Sequence, residues 1–136
     1  MGRRLIEVEA DIGFEVWSET LEGLFKEAAL ALYDIMVDVT KVDPIITKEV
    51  KLEASDIEML LHSWLSELLF ITDVEGLVFS DFDVKITGRR LEAICKGEEV
   101  DPEKHNPKTE VKAITYHRFS VRKEGELWRA TVIVDL

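Results

Sequence analysis

Two stretches of the chain repeat apolar residues at steps of three and four, which is the spacing of one helical face. The first spans residues 20–36, and Thr20 is suited to cap it because a threonine hydroxyl accepts from a free backbone N–H. The second begins at Ser55-Asp56-Ile57-Glu58 and continues to about Ile71. This start is typical of a capping box, in which the Ser55 hydroxyl and the Glu58 carboxylate satisfy N–H groups of the first turn.

Most other segments are alternating or extended, and a period of two is typical of half-buried strands. Turn-forming residues separate them, notably Asp11-Ile12-Gly13 near the start and Gly88 between two runs that predict a hairpin. A polar turn at residues 123–126 separates the last two runs. The predicted strands are residues 5–9, 14–17, 50–54, 82–86, 91–95, 111–121 and 128–136.

These elements predict the fold class. Strands outnumber helices, and the short links between them favour antiparallel pairing. Residues 98–109 are polar and contain Pro102 and Pro107, so we expect a surface loop there. The prediction is an α+β protein in which two amphipathic helices pack on an antiparallel β-sheet, with residues 1–136 forming a single domain.

The charge balance limits the possible partners. Lys and Arg number 17 against 28 Asp and Glu, giving a formal net charge of −11. A nucleic-acid-binding protein needs a basic face, and this chain has no basic cluster longer than Arg89-Arg90, so we expect no strong direct nucleic-acid binding. The acidic surface either attracts a basic partner protein or only keeps the protein in solution.

Cellular location is predicted from features that are missing. No run approaches the roughly 20 apolar residues of a membrane span, and acidic residues follow Arg3-Arg4 where a signal peptide would be apolar. The single cysteine, Cys95, has no partner for an internal disulfide. We therefore expect a cytoplasmic protein without a membrane segment.

Catalytic signatures are absent from the sequence. There is no phosphate-binding glycine loop, no pair of metal-binding cysteines and no H-E-x-x-H or G-x-S-x-G motif. The three histidines, His62, His105 and His117, are scattered, and each taken singly is interpreted as structural or solvated. The chain is therefore not expected to be an enzyme.

Carboxylates near the two chain ends are candidates for a metal site. Glu9 and Asp11 would share a face of a continuing strand, Asp135 is the penultimate residue, and Leu136 adds a terminal carboxylate. Brought together, these oxygens would suit a hard divalent ion such as Ca²⁺, Mg²⁺ or Mn²⁺. The alternative is that Asp11 only starts a turn and Asp135 only ends a strand.

Several short sequence blocks resemble segments of the archease family. They occur in the same order as in that family and span nearly the whole chain. The blocks are Ala10-Asp11-Ile12-Gly13, Thr20-Leu21-Glu22 and residues 27–32, 36–38, 64–70, 75–77, 96–98, 101–105, 109–117 and 132–136. The resemblance implies an accessory protein of RtcB-type ligases, which join RNA ends in tRNA splicing and RNA repair. Such a ligase uses GTP and a divalent metal to guanylylate its own histidine, and the archease supports turnover through that step.

The resemblance also implies which residues are functional. Asp11 and Asp135 would hold the metal, with a backbone or terminal oxygen of Leu136, and a lysine would take part, either Lys104 or Lys112. One departure concerns the residues before Ala10, because family members usually carry His-Thr where this chain has Val8-Glu9. Glu9 would then supply an additional metal oxygen or contact the partner.

Two other functions remain open from the sequence. The same carboxylates would serve a metal-dependent hydrolase, with His117 or His105 carrying the proton. A chaperone-like binding protein is the third reading, although the apolar helix faces are needed for the protein's own core.

Overall fold

The ends of the chain meet in one antiparallel sheet, and the middle forms a second. The computed structural model describes residues 1–8 and 11–136. In chain order the elements are β1 (Gly2–Val8), β2 (Asp11–Ser18), α1 (Leu21–Met36), β3 (Ile46–Glu53), α2 (Ile57–Glu75), β4 (Leu77–Thr87), β5 (Arg90–Glu99), α3 (Pro102–His105), β6 (Ala113–Ile114), β7 (Ser120–Glu124) and β8 (Leu127–Asp135), with a 3₁₀ turn at Val39–Lys41. The predicted α+β class, with two main helices on antiparallel sheet, is confirmed.

The larger sheet is built around β8. β1 pairs with β2 and β2 pairs with β8, while β6 and β7 lie end to end along the other edge of β8. The smaller sheet has the order β3-β5-β4. All described pairings are antiparallel, as predicted. The prediction of one sheet is corrected, because the strands form two sheets, and both sheets contact the helices.

The core lies between the sheets and the two long helices. α1 packs on β2 of the larger sheet and on β4 of the smaller one. Trp64 of α2 is fully buried, and its indole N–H donates to the carbonyl oxygen of Phe25 in α1 at 3.0 Å. The Tyr33 hydroxyl of α1 lies 2.8 Å from the Thr72 hydroxyl, and burial raises the pKa of Tyr33. These two bonds fix the register of one helix against the other.

The helix termini confirm one predicted cap and correct the other. Thr20 caps α1, accepting from the N–H of Gly23 at 3.0 Å. The predicted capping box at Ser55 is wrong, because the Asp56 carboxylate accepts from the Met59 N–H at 2.8 Å instead. Glu58 accepts from the N–H of Val121 in β7 at 3.0 Å rather than from its own helix.

α2 extends beyond the predicted end near Ile71 and stops at Glu75. Gly76 ends it with a φ of 69°, a conformation that glycine adopts without the steric cost other residues meet. The described part of the chain contains no helix that is both long and apolar enough to cross a membrane.

Three other predictions from local pattern are wrong. Asp11-Ile12-Gly13 was expected to form a turn but belongs to β2. Residues 111–121 are not one strand, because β6 is short and a turn precedes β7. Residues 98–109 are only partly a loop, since β5 runs to Glu99, α3 follows, and His105 is fully buried.

The corrected cap of α2 gives a prediction about stability. Asp56→Ala should lower the free energy of unfolding by about 1 kcal/mol, because the Met59 N–H loses its acceptor. Urea denaturation measures this loss. Ser55→Ala is the matched control and should change stability by less than about 0.5 kcal/mol. If Ser55→Ala lowered the free energy of unfolding more than Asp56→Ala did, Ser55 and not Asp56 would be the N-cap of α2.

Candidate metal centre

The pairing of β2 with β8 runs up to the residues next to Asp11 and Asp135. Its last pair is Ile12 with Val134, and one further step in the same register would set the two aspartates opposite each other. Directly opposed residues of an antiparallel pair have Cβ atoms about 4.5–5.5 Å apart and side chains on the same face. The register is therefore compatible with a pair of carboxylates from opposite ends of the chain.

The two aspartates lie on the outer face of the larger sheet. Phe14 and Val16 of β2 are buried against the helices, and Asp11 has the opposite parity along the strand. Both Asp11 and Asp135 are exposed. An ion held between them would therefore be accessible to a second molecule.

Gly13 sets the spacing of the two strands next to this pair. It faces Ile133, which is fully buried although it points to the outer face of the sheet. A Cβ atom at position 13 would collide with the Val132 carbonyl oxygen and with the Ile133 side chain. Only glycine allows the two strands to approach this closely. The packing of β2 against β8 therefore explains why position 13, in the block Ala10-Asp11-Ile12-Gly13, is a glycine.

The donors present suit a hard cation. Two carboxylates side by side repel each other, and a divalent ion between them removes that cost. Leu136 follows Asp135 directly and is 37% exposed, so its backbone oxygen is within the same region. Among residues 1–8 and 11–136, no group of three or more Asp, Glu, His or Cys side chains is arranged so that it could hold a metal ion. Two protein carboxylates therefore fit an ion that also takes oxygens from water or from a bound phosphate, as Mg²⁺ commonly does.

Of the two candidate lysines, Lys112 lies beside the pair. Its backbone N–H donates to the Asp135 carbonyl oxygen at 2.7 Å, and its side chain is exposed. Lys104 instead forms ion pairs with Asp43 at 2.7 Å and Glu98 at 2.8 Å. The backbone of Lys112 is thus bonded to that of Asp135, whereas the Lys104 side chain belongs to a separate network.

That network is centred on Glu98 and was missed in the sequence. Glu98 accepts from the backbone N–H of Asp43 at 2.6 Å, from Lys104, and from the His105 ring at 3.1 Å. These bonds, that from Asp43 most of all, lower the pKa of Glu98 to about 2. His105 Nδ1 accepts from the Asp101 N–H at 2.9 Å, so the ring proton is on Nε2 and points to Glu98.

The remaining candidates lie apart from the aspartates or outside the described residues. His117 is exposed in the turn after β6, where its backbone N–H donates to the Thr115 hydroxyl at 3.2 Å. Thr115 in turn pairs with Ile133, on the side away from Asp135. Glu9 falls outside residues 1–8 and 11–136, so its role in the site stays a prediction.

These observations define a small α+β protein with an exposed pair of carboxylates at one end of its larger sheet. A model of the Archease protein family (MTH1598/TM1083) matches residues 4–136. The chain is 47% identical over 136 residues to protein archease of Pyrococcus abyssi, covering 96% of this chain and 95% of that one. Protein archease of Thermococcus gammatolerans is 49% identical with the same coverage. The chain belongs to the archease family, as the sequence blocks predict.

Two solved structures share this fold. The solution structure of Methanobacterium thermoautotrophicum protein 1598 superposes with a TM-score of 0.88 at 40% identity and covers 99% of both chains. The crystal structure of an archease from Thermotoga maritima, described as a possible chaperone, has a TM-score of 0.69 at 22% identity. It covers 96% of this chain and 94% of that one, and at this identity it supports the fold alone.

The spacing role of Gly13 can be tested by adding one methyl group. Gly13→Ala should lower the free energy of unfolding by about 1–3 kcal/mol, because the added Cβ forces β2 and β8 apart. It should also weaken Mn²⁺ binding measured by calorimetry, since Asp11 and Asp135 move with the strands.

Gly125→Ala is the matched control for this change. Gly125 has a φ of 62° and open space around its Cβ position, so alanine strains only its own turn. Stability should fall while Mn²⁺ binding stays unchanged. Equal loss of Mn²⁺ binding in both variants would show that Gly13 acts through stability alone.

The depressed pKa of Glu98 predicts a pH dependence of stability. A carboxyl group whose pKa is lower in the folded protein stabilises the fold above its unfolded pKa, near 4.3, and loses this effect as pH falls toward 2. Glu98→Gln should therefore be clearly less stable than the parent at pH 7, and the difference should shrink between pH 5 and about 2. Thermal unfolding across this range measures it.

Glu126 provides the control for the pH experiment. It is exposed in the turn between β7 and β8 and is in no ion pair within the described part of the chain. Glu126→Gln should follow the parent at every pH. A pH-independent loss in Glu98→Gln would show that the Glu98 bonds do not depend on its charge.

Proposed function

We propose that this protein is a non-catalytic activator of an RtcB-type RNA ligase and acts through a divalent ion held by Asp11 and Asp135. Membership of the archease family supports the partner. The single observation that supports the site is the β2–β8 register, which would set the two exposed aspartates opposite each other if it continued by one step. The partner and the ion come from what the resemblance implies.

Each residue of the site has a distinct task in this proposal. Asp11 and Asp135 bind the ion, and Gly13 keeps their strands close enough to share it. The Lys112 N–H fixes the main chain at Asp135. A divalent ion in this position supplies positive charge that can neutralise phosphate oxygens during nucleotidyl transfer.

The location of the pair supports action on a partner's substrate rather than on a substrate of its own. The aspartates are exposed at strand ends on the outer sheet face. A partner that brings its own nucleotide would complete the ion's coordination. Ca²⁺, Mg²⁺ and Mn²⁺ are all candidates, and the small number of protein oxygens favours an ion that keeps waters.

The net charge fits an encounter with a basic protein. A chain with a formal charge of −11 is attracted to a surface that itself binds RNA and GTP, and such attraction speeds and orients association. With such a partner, the proposed location of the protein is the cytoplasm.

The described residues give less support to the other two functions. His105 is buried and bonded to Glu98 and the Asp101 N–H, so it is not available to carry a proton for a hydrolase. His117 lies away from Asp135 along β8. For a chaperone-like role, the apolar faces of α1 and α2 would have to be free, and they are buried in the core.

Asp11→Asn tests the proposal directly. The substitution keeps the size of the side chain and removes its charge, so the exposed site should lose metal affinity while the fold is retained. Stimulation of guanylylation and of multiple-turnover ligation by a cognate ligase, with GTP and Mn²⁺, should fall by at least about tenfold, as expected when an ion acting on transition-state charge is removed.

Asp83→Asn is the matched control, because Asp83 is also an exposed strand aspartate but lies on β4 of the smaller sheet. It should stimulate like the parent. Full stimulation by Asp11→Asn would rule out the metal mechanism, and absence of stimulation by the parent protein would rule out the activator itself.

A further inference from the structure

The turn between β6 and β7 holds an arginine in an unfavourable backbone conformation. The Phe119 N–H donates to the Tyr116 carbonyl oxygen at 3.3 Å, which closes the turn. Arg118, within it, has a φ of 54°, in the left-handed region that costs free energy for most residues other than glycine. A cationic side chain is therefore presented at a place where glycine would be more stable.

An aromatic stack between α2 and the turn supports this conformation. The His62 ring of α2 lies parallel to the Tyr116 ring, with centroids 4.0 Å apart and an interplanar angle of 6°. Phe119 meets the same imidazole edge-on at 5.4 Å, and His62 Nε2 donates to the Ile114 carbonyl oxygen at 3.0 Å. Tyr116 nevertheless remains 65% exposed. The stack thus fixes one ring face and leaves much of the tyrosine available to a ligand.

The charge around the turn is opposite to that of the whole chain. Residues 111–123 contain no Asp or Glu, which makes this the longest stretch without acidic residues, and include four basic residues. Arg122 is paired with Glu124 at 2.7 Å, and Lys123 lies over the Trp128 ring. Lys112 and Arg118 are exposed and form no ion pair among residues 1–8 and 11–136.

A groove beside the turn extends this surface along α2. It has a volume of about 340 Å³ and is lined by Lys112 on one side and by His62, Ser66 and Phe70 on the other. Phe70 is 58% exposed, and Asp73 is the one carboxylate in the lining. We call Lys112, Tyr116, Arg118 and Phe70 the Tyr116 surface. It combines two exposed aromatic rings with two cations that are free of ion pairs within the described residues.

We propose that the Tyr116 surface contacts a single-stranded nucleic acid. Bases stack on exposed aromatic rings, and phosphates pair with lysine and arginine, so such a strand matches both components at once. An acidic protein segment would pair with the two cations, but its carboxylates would not stack on the exposed Tyr116 ring. The assignment of the strand to RNA rests on the proposed function.

One residue of the contact, Lys112, is bonded through its backbone N–H to Asp135 of the candidate metal centre. Tyr116 and Arg118 follow Thr115, which is bonded to Ile133, and therefore lie farther from Asp135 along β8. Binding by this chain alone is weak, because two cations act against a net charge of −11. We expect a dissociation constant of about 10⁻⁴ M at low salt, in the range of nonspecific binding. The surface therefore supplements RNA binding by the ligase and does not replace it.

Fluorescence anisotropy of a labelled ten-nucleotide RNA with the full-length purified chain tests this contact. Tyr116→Leu, which keeps apolar bulk but removes the ring, should weaken binding by at least about fivefold, whereas Tyr116→Phe should bind like the parent. With two phosphates contacted, the logarithm of the binding constant should fall against the logarithm of salt with a slope of about −1.4.

Arg118→Gly separates binding from folding. Removing the left-handed arginine should raise the melting temperature, because glycine adopts this φ without strain, and should also halve the salt slope. Arg89→Ala is the control, since it removes an exposed cation from the turn between β4 and β5. An equal loss of affinity in Arg89→Ala would mean nonspecific charge attraction and would overturn the proposal.

The other outcomes are also decisive. Loss of ligase stimulation in Tyr116→Leu with unchanged RNA affinity would make the surface a protein-docking site and overturn the proposal. DNA of the same sequence should bind more weakly than RNA, and equal binding would remove the assignment to RNA. Asp11→Asn should retain RNA binding while losing ligase stimulation. Failure of the activator function and failure of this contact are therefore distinguishable.

Discussion

The close approach of β2 and β8 at Gly13 is the constraint on which the candidate site depends. It joins the two ends of the chain in one sheet and lets Ile133 be buried across a glycine. Because the register of an antiparallel pair determines which side chains are opposite, the same register, continued by one step, would set Asp11 against Asp135. The metal proposal therefore rests on this pairing, and a shift by one residue would separate the carboxylates.

The Glu98 network fixes a second part of the molecule and explains why one lysine is structural. Glu98 accepts from a backbone N–H, from Lys104 and from His105, and these bonds compensate the partial burial of its carboxylate. A partly buried polar cluster is stable only when its members satisfy one another. Lys104 pairs there with two carboxylates, whereas Lys112 forms no ion pair among residues 1–8 and 11–136 and is bonded through its backbone N–H to Asp135.

Local pattern predicted the elements better than their ends. The periodicity of residues 20–36 and the Thr20 cap were sufficient for α1, because both signals are local. Ser55 and Asp56 are both good capping residues, and the choice between them depends on Glu58 bonding to β7, a contact distant in sequence. Polar composition hid the burial of His105, because its side-chain partners Glu98 and Asp101 are themselves polar residues of the segment that was expected to be a surface loop.

The candidate site was less accessible to local reasoning than the fold. Alternation shows that residues 11–18 and 127–135 are extended but not that they pair. Asp11 and Asp135 were therefore candidates from their residue types and from the resemblance, and the β2–β8 register adds only that their strands are neighbours. The Tyr116 surface had no sequence signal beyond its lack of acidic residues, because the stack needs α2 beneath the turn. In the proposed function, the metal site and the Tyr116 surface both reduce the repulsion between this acidic protein and phosphate groups. An acidic protein approaches a phosphate most readily where an ion or exposed cations reverse its local charge, and β6, which is paired with β8, connects the two places.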